Sequence, residues 1–396
     1  MKKHKKQLRW VEEKRTSKKT LLLPKVEKKF DRFPTGYVND VEGWTFTREE
    51  IRKAKETGSL LTLDVDLPGK GRCRLRCAHC FRRHPDFNKE KRLNLNEMTG
   101  YIKDAAKMGL KSVKLIGPAE PLEDPHLFQF LEMLRGLDVI PLIFTKGHPI
   151  GDDALAMRYH KMDGRALLRK LKEYNVSILL GTTSFNPELE NSIVRREGYH
   201  AARHEAILRL VEAGFNDFIP GKATKLAFVH TPVMPGNIDE AFDIYEWTKL
   251  RNIQSVIAPT MIAGGALKML EKLVVEEAEL LDLYVKINLW AIERGMTTFE
   301  ELEEQGIAAY AGGAPCNQVS AGAFLRGDGK LLRCPGDDYT ILGNLKEQDI
   351  EHIWKDSENL KKYSGVYNNG CPPKEGISFP PNFFKKVMKE VRKRLG

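Results

Sequence analysis

Three cysteines lie close together in the first quarter of the chain, at Cys73, Cys77 and Cys80. They follow an alternating apolar segment that predicts a β-strand, and their C-x3-C-x2-C spacing brings three thiols onto one short loop. Thiolates are the soft ligands that iron–sulfur clusters require, so this loop suits a [4Fe–4S] cluster. Because only three protein ligands are present, one iron of such a cluster would stay open to another molecule.

Other interpretations of these cysteines stay open. A zinc ion would need His79 or His84 as a further ligand, although the usual distant second C-x2-C pair is missing. Unrelated buried cysteines are less expected, because the arginines between them would be buried poorly. A disulfide is not expected, since the N-terminus shows no secretory signal and clustered cytosolic cysteines more often bind metal or take part in catalysis.

The cysteine loop resembles the signature of the radical SAM superfamily, which has an aromatic or histidine residue before the last cysteine, as His79 is here. In that family S-adenosylmethionine chelates the open iron, an electron from the cluster cleaves it, and a 5′-deoxyadenosyl radical takes a hydrogen from the substrate. The resemblance implies an oxidoreductase or modifying enzyme in which Cys73, Cys77 and Cys80 are catalytic, with His79 and Phe81 beside the cofactor. It also implies a reductant such as ferredoxin or flavodoxin as a partner.

Segments after later predicted strands resemble further parts of that family. Gly117-Pro118-Ala119-Glu120 is similar to the family's Gly-Gly-Glu segment, which implies that Glu120 contacts the methionine amino group of the cofactor, although Pro118-Ala119 replaces the paired glycines. Ser184 lies in a hydroxyl-rich turn where relatives bind the cofactor ribose. Ordinary turns between strand and helix are the alternative for both segments. Lys146 either meets an acidic substrate group or extends to solvent.

A second set of three cysteines, Cys316, Cys334 and Cys371, lies in the last quarter of the chain. The segment 327–330 between the first two predicts a hairpin turn. This region resembles the SPASM or twitch modules that carry auxiliary iron–sulfur clusters. Three thiolates support at most one auxiliary [4Fe–4S] cluster, whose last iron is held by Asp337, Asp338 or a similar side chain, or is open to substrate. Structural zinc and unligated thiols are the alternatives.

Strand and helix signals alternate six times over residues 59–295, which predicts parallel strands covered by helices and hence an α/β barrel or open sheet. The resemblance makes this a partial (β/α)6 barrel of radical SAM type with a small cysteine-containing α+β extension. We therefore predict a basic lead-in over residues 1–57, the barrel over 58–311 and an auxiliary cluster domain over 312–396. The motifs above follow the predicted strands, at the end of a barrel that carries active sites.

Composition restricts the class of protein. With 41% hydrophobic and 30% charged residues and no long apolar run, the chain is typical of a soluble enzyme, and we expect a cytoplasmic protein with no transmembrane segment. The net charge of +10 lies in the ends, because residues 1–30 carry +9 and residues 385–396 carry +5. These basic ends either contact RNA or another polyanion or are solvated tails.

Two functions from different classes follow. The first is a radical SAM enzyme with a substrate that the sequence does not identify, such as a tRNA or nucleotide, a peptide or a lipid precursor. The second is a non-catalytic nucleic-acid-binding protein that is held together by two structural zinc sites.

Overall fold

A computed structural model describes residues 21–67, 73–77, 79–82, 92–261 and 263–396. Their centre is one nine-stranded sheet in the order β6-β5-β4-β3-β2-β1-β7-β8-β9. The strands are β1 (Thr62–Asp66), β2 (Ser112–Gly117), β3 (Ile140–Thr145), β4 (Ser177–Gly181), β5 (Leu226–Val233), β6 (Gln254–Pro259), β7 (Gly322–Leu325), β8 (Lys330–Leu332) and β9 (Ile341–Asn344).

Helices cover the outer face of the curved sheet and connect its strands. In the described residues they are α1 (Arg48–Thr57), α2 (Leu95–Lys107), α3 (Leu127–Gly136), α4 (His148–Gly151), α5 (Asp153–His160), α6 (Gly164–Glu173), α7 (Pro187–Val194), α8 (Tyr199–Glu212), α9 (Ile238–Lys249), α10 (Leu270–Leu273), α11 (Glu277–Glu293), α12 (Phe299–Gln305), α13 (Gln318–Ala321), α14 (Ile350–Asp356) and α15 (Phe383–Leu395). Short 3-10 turns lie at Pro121–Glu123 and Gly264–Met269, and a π-helical turn at Asn359–Tyr363.

The predicted fold class is confirmed. Strands β1 to β6 pair in parallel with their sequence neighbours. Residues alternate between the two faces of each strand, so Leu63 and Val65 pack against the helices while Thr62 and Asp64 face the lumen of the barrel. The alternating apolar residues of β1 therefore form part of the outer layer under the helices.

Helix α2 has a well-defined start. It begins at Leu95 with Asn94 as its N-cap. The Asn94 side chain accepts a hydrogen bond from Glu97 N, and the Glu97 side chain accepts one from Asn94 N. These two bonds form a capping box that fixes the start of the helix. Helices α5 and α7 are shorter, with eight residues each.

The sheet does not stop at the end of the sixth unit. Strand β7 pairs in parallel with β1, and the predicted hairpin follows as β7 and β8, which pair antiparallel. Strand β9 adds a third antiparallel member. The domain boundary at residue 312 stays a prediction, and the hydrogen-bonded sheet itself continues across it.

The N-terminal lead-in closes one end of the barrel. Val41 and Trp44 are buried against Leu142, Leu179 and other lumen residues of β3 to β6. The backbone of Val41 also forms a bridge with Thr224 just before β5. This segment therefore contributes to the wall of the lumen, which its polar composition did not predict.

The basic C-terminal segment is helical. Phe383, Val387 and Val391 of α15 are buried in the same cluster as residues of α11. Its cations face acidic side chains of neighbouring helices in the pairs Lys386–Glu277, Arg392–Glu303 and Arg394–Asp282. The alternative of a solvated tail is therefore wrong for this segment, while the basic residues 1–20 lie outside the described residues. In the ranges described, no helix has the length and hydrophobicity of a membrane span.

Candidate active site

Cys73, Cys77 and Cys80, which we call the loop trio, lie after β1 and line one cavity. This loop cavity has a volume of about 890 Å³ including its open mouth, and Glu120 and Lys146 line it as well. The intervening residues 68–72 and Ala78 lie outside the described residues. The predicted cofactor neighbours His79 and Phe81 line the same cavity.

The loop trio is supported from behind by the segment between α7 and α8. Cys77 packs against Leu75, Val194 and Tyr199, and Arg76 N donates to Val194 O at 3.0 Å. A buried ionic group holds this segment, because Arg203 donates to Ser184 O at 2.8 Å and lies 3.9 Å from Glu190.

Burial shapes the protonation of the loop trio. Burial and the nearby Glu120 carboxylate raise the pKa of Cys73 to about 12. Burial also raises the pKa of Cys77 to about 11, although the Lys146 ammonium opposes the shift. The pKa of His79 falls to about 3 because the ring is buried and Lys146 is close, so His79 is neutral. Metal binding at these thiols must therefore release protons.

Glu120 is fixed at the end of β2 by three hydrogen bonds. Its carboxylate accepts from Leu122 N at 3.2 Å, Thr145 Oγ1 at 2.5 Å and Lys146 N at 2.8 Å. Burial raises the pKa of Glu120, and these bonds together with His148 oppose that shift. Since a carboxylate offers about four acceptor positions, about one remains for a ligand in the cavity.

Lys146 points into the loop cavity, whereas Ser184 does not reach it. Lys146 Nζ lies 3.5 Å from Thr183 Oγ1, and a Cβ atom at Gly181 would come within 3.0 Å of the Lys146 side chain. Ser184 is fully buried and donates to the Glu240 carboxylate at 2.7 and 2.8 Å. The ribose contact suggested for Ser184 therefore gains no support from its position.

Cys316, Cys334 and Cys371, the C-terminal trio, line a second cavity inside the barrel. This lumen cavity has a volume of about 980 Å³ including its open mouth. Burial raises the pKa of all three thiols, to about 11 for Cys371. The fully buried Lys374 lies beside the trio, and the thiols oppose the lowering of its pKa by burial. A cation beside three thiolates would balance part of their charge.

The carboxylates suggested as a fourth ligand do not line the lumen cavity. Asp337 is bound by Arg333 at 2.7 Å and by the backbone N–H groups of Tyr339 and Thr340. Asp338 accepts from Gly264 N at 2.6 Å. The aspartates after Cys334 therefore shape the loop that carries this thiol.

The donor sets of both trios fit iron–sulfur clusters. Each trio presents three free thiols to one cavity. Over the described ranges, no three His, Cys, Asp or Glu side chains converge closely enough for a single metal ion. A zinc ion needs its sulfur ligands about 2.3 Å from one point, whereas each cysteine of a cluster binds a different iron. Three thiols on one cavity are the donor set that an iron–sulfur cluster requires.

The two cavities adjoin each other, and the lumen cavity contains groups that the sequence reasoning missed. Asp64 and Lys114 are register partners on β1 and β2, with Lys114 Nζ 3.6 Å from Asp64 Oδ1. Trp44 and Met261 also line the lumen cavity. A charged residue in the middle of an otherwise apolar buried strand was a usable signal for Asp64 and Lys114. Trp44 offered no such signal, because its neighbours are distant in sequence.

Comparisons with known proteins agree with this arrangement. Residues 68–247 match the profile of the radical SAM superfamily. The GTP 3′,8-cyclase of Aquifex aeolicus (strain VF5) is 27% identical over 308 residues, which span 73% of this chain and 87% of that protein.

Solved structures show the same fold. The structure of Streptococcus suis SuiB bound to precursor peptide SuiA superposes with a TM-score of 0.54 at 16% identity, covering 82% of this chain and 75% of SuiB. Native anSMEcpe with bound AdoMet gives a TM-score of 0.55 at 13% identity, covering 85% of this chain and 98% of that one. Nothing in these comparisons supports the RNA contact that the basic ends suggested.

Proposed function

Because residues 68–247 match the radical SAM superfamily, we propose that this protein is an enzyme of that superfamily, that it carries one [4Fe–4S] cluster on the loop trio and an auxiliary [4Fe–4S] cluster on the C-terminal trio, and that it modifies a substrate held between them. When bound, the first cluster and S-adenosylmethionine would supply the radical that takes a hydrogen atom from the substrate. The observation that carries this proposal is that the two trios line adjoining cavities with a common wall. Six residues line both cavities, namely Phe81, Ile116, Phe144, Val229, Thr231 and Met261.

On the loop side, the chain would bind and orient S-adenosylmethionine. Glu120 keeps about one acceptor position free at the cavity, which suits the amino group of the cofactor. Lys146 adds a positive charge on the same side. The apolar side chains of the common wall exclude water from the space where a radical would meet the substrate.

On the lumen side, we propose that one iron of the auxiliary cluster is open to substrate. Three thiols line the cavity, and the carboxylates of Asp337 and Asp338 do not line it. An open iron at the far end of the chamber would hold the substrate within reach of the first cofactor. A pure electron relay would not need the large cavity at this trio.

A nucleotide is the second candidate substrate class, because a 27% identical relative is named a GTP 3′,8-cyclase. The lumen cavity offers little for a triphosphate in the described residues. Its two lysines are both engaged, since Lys114 binds Thr62 and Gln318, and Lys374 donates to Pro259 O at 2.7 Å. A smaller or less charged substrate fits these walls better.

Iron and sulfide analysis of anaerobically reconstituted protein tests the proposal. We expect about eight irons in the wild type and about four after Cys-to-Ala replacement of either trio. With dithionite and S-adenosylmethionine, 5′-deoxyadenosine should form in the wild type and in the variant of the C-terminal trio, but not in the variant of the loop trio. Zinc in place of iron, or no cleavage by the wild type, would exclude the proposal.

The role of the auxiliary cluster needs a separate measurement. If the substrate binds its open iron, a bound ligand should change the electron paramagnetic resonance spectrum of the auxiliary cluster in the variant that lacks the loop trio. An unchanged spectrum with a substrate that turns over would instead indicate electron transfer. Replacing dithionite by ferredoxin or flavodoxin in the cleavage assay tests the proposed protein reductant.

A further inference from the structure

The lumen cavity is lined by apolar, aromatic and charged side chains. Strands β3, β5 and β6 supply Phe144, Val229 and Val256, and the segments before α1 and after α12 supply Trp44 and Tyr310. Strands β1 and β2 supply Asp64 and Lys114, which are opposite each other in register. A molecule in this cavity therefore meets flat aromatic surface as well as one acid–base pair.

Asp64 is a buried carboxylate whose nearest donor is the Lys114 ammonium, 3.6 Å from Oδ1. Its residue is only 4% exposed, and Oδ1 has no hydrogen-bond partner. Asp66, two residues further along β1, also has an Oδ1 without a partner, but its Oδ2 is bound by Arg82 at 2.5 Å and by Gly327 N at 3.2 Å, whereas neither oxygen of Asp64 has a partner within 3.5 Å among the described residues. Buried polar groups are nearly always paired in native proteins, so the free oxygen of Asp64 points to a missing ligand.

Lys114 is held in place beside Asp64. Its ammonium donates to Thr62 Oγ1 at 2.8 Å and to Gln318 Oε1 at 3.1 Å, and it lies 5.4 Å from the centre of the Trp44 ring. These contacts keep Nζ 3.6 Å from Asp64 Oδ1, which is longer than a hydrogen bond. Lys114 therefore balances the charge of Asp64 without satisfying its oxygen.

Other polar groups of the cavity wall already have partners inside the protein. Asn317 binds Phe46 N and Tyr367 O. Gln318 donates to Ala323 O, and Thr231 donates to Val256 O. Among the described residues of this wall, Asp64 has the only fully buried side-chain oxygen or nitrogen without a hydrogen-bond partner.

We propose that Asp64 accepts a hydrogen bond from a neutral, planar amide or lactam N–H of the substrate. An amide fits because its N–H group matches the free oxygen of Asp64, while its adjacent carbonyl can face the Lys114 ammonium. A cationic group would be repelled by Lys114 and an anionic group by Asp64. The flat aromatic walls suit the planar shape of the group. This inference rests on the proposed function, since it assigns the substrate class of the same chamber.

Matched probes test the inference without knowledge of the substrate. Benzamide has the amide N–H, and N,N-dimethylbenzamide lacks it. Binding of both to reconstituted wild-type protein is measured by ligand-observed NMR under anaerobic conditions. We expect benzamide to bind about tenfold more tightly, because a hydrogen bond to a buried charged group is lost with the methylated probe.

Two substitutions locate the effect. Asp64→Leu removes the acceptor, and Asp64→Asn keeps the shape while removing the charge, so that one variant is available if the other does not fold. Each should lose at least about fivefold in benzamide affinity and change dimethylbenzamide affinity by less than about twofold. Asp338→Asn is the matched control, because Asp338 also has an unpartnered buried oxygen but does not line the lumen cavity. It should keep the wild-type preference.

Three results would overturn the inference. They are equal binding of the two probes to the wild type, an unchanged preference in both Asp64 variants, and a changed auxiliary cluster spectrum in Asp64→Asn without any probe. The last result would mean that Asp64 is an iron ligand. Failure of the proposed function is distinguishable, because it appears as missing iron or missing 5′-deoxyadenosine in the wild type.

A planar amide or lactam N–H group can belong to a peptide or to a nucleobase, and two further probes distinguish these sources. N-acetyltyrosinamide carries peptide-type amides, and guanosine carries a ring lactam. Whichever of them competes with benzamide in the wild type but not in Asp64→Leu identifies the source. Competition by neither would contradict the assignment of this pair to a substrate amide.

Discussion

The loop trio and the C-terminal trio present similar thiols to one chamber but are assembled in different ways. The loop trio spans eight consecutive positions and depends on a single turn after β1. The C-terminal trio is spread over 56 positions and depends on the hairpin of β7 and β8 and on the anchoring of the segment before α15. A metal site can thus be specified by local spacing or by the register of a sheet. Only a site that is specified by local spacing can be recognised from a short sequence motif.

The largest expected difference between the trios concerns cofactor cleavage. Cys77→Ala should lower 5′-deoxyadenosine formation by at least about 1,000-fold, since a missing thiolate removes the cluster that would bind the cofactor. Cys334→Ala should stay within about tenfold of the wild type, because it removes a ligand of the proposed auxiliary cluster only. The assay is anaerobic product quantification by liquid chromatography. Equal losses in the two variants would show that the trios are not functionally separate.

The ion pairs that lie behind the two trios differ in burial, so we expect their loss to lower the free energy of unfolding by different amounts. Arg203→Met leaves the fully buried Glu190 without its cation, and we expect a loss of about 3 kcal/mol in the free energy of unfolding. Arg333→Met should cost only about 1 kcal/mol, because Asp337 keeps two backbone donors. Urea unfolding of the apoproteins measures both changes. A smaller loss for Arg203→Met than for Arg333→Met would show that the buried pair with Glu190 is not the more important of the two for stability.

Strand β5, which supplies Val229 and Thr231 to the common wall, adds a pH dependence. Burial lowers the pKa of His230 on β5 to about 4, so the ring is neutral in the folded protein. The unfolded chain binds more protons between that value and about 6.5, hence stability is present above pH 6.5 and is lost as pH falls toward 4. We expect His230 to raise the free energy of unfolding by about 2 kcal/mol between pH 5 and pH 7.

Urea unfolding of the apoprotein across this pH range, compared with His230→Asn, checks the expectation. The variant should retain the acceptor and donor of a small polar side chain but lose this part of the pH slope. Parallel slopes for the two proteins would mean that His230 does not titrate differently in the folded state.

The smallest effect is expected on the surface of α15, near the C-terminal trio. The pair Lys386–Glu277 is 46% and 42% exposed, so Lys386→Ala should change stability by less than about 1 kcal/mol. Iron content should not change, because the buried face of α15 holds the segment. Thermal unfolding and iron analysis of the variant are sufficient. A loss of the auxiliary cluster would show that the exposed pair, and not the apolar face, positions Cys371.

Sequence patterns predicted the parallel barrel because each strand and helix carries its own periodicity. They also grouped the loop trio, since its spacing is local. Asp64 was not identified as a site residue, because its importance depends on facing Lys114 across two strands that are paired only in the fold. Ser184 was placed near the cofactor by resemblance, yet its hydroxyl is consumed by Glu240, which is 56 positions away. The environments of Asp64 and Ser184 are thus set by contacts between segments that are distant in sequence, which local patterns do not reveal.

Strand β1 lies between β2 and β7 and so has no free edge in the described sheet. Deleting residues 312–396 would remove β7 and leave one row of N–H and C=O groups of β1 exposed. Unpaired edges of this kind pair readily with other chains. A protein ending at residue 311 would keep all residues of the family match, but we expect it to aggregate or to self-associate through β1. The solubility of the catalytic barrel thus depends on the cysteine-containing extension.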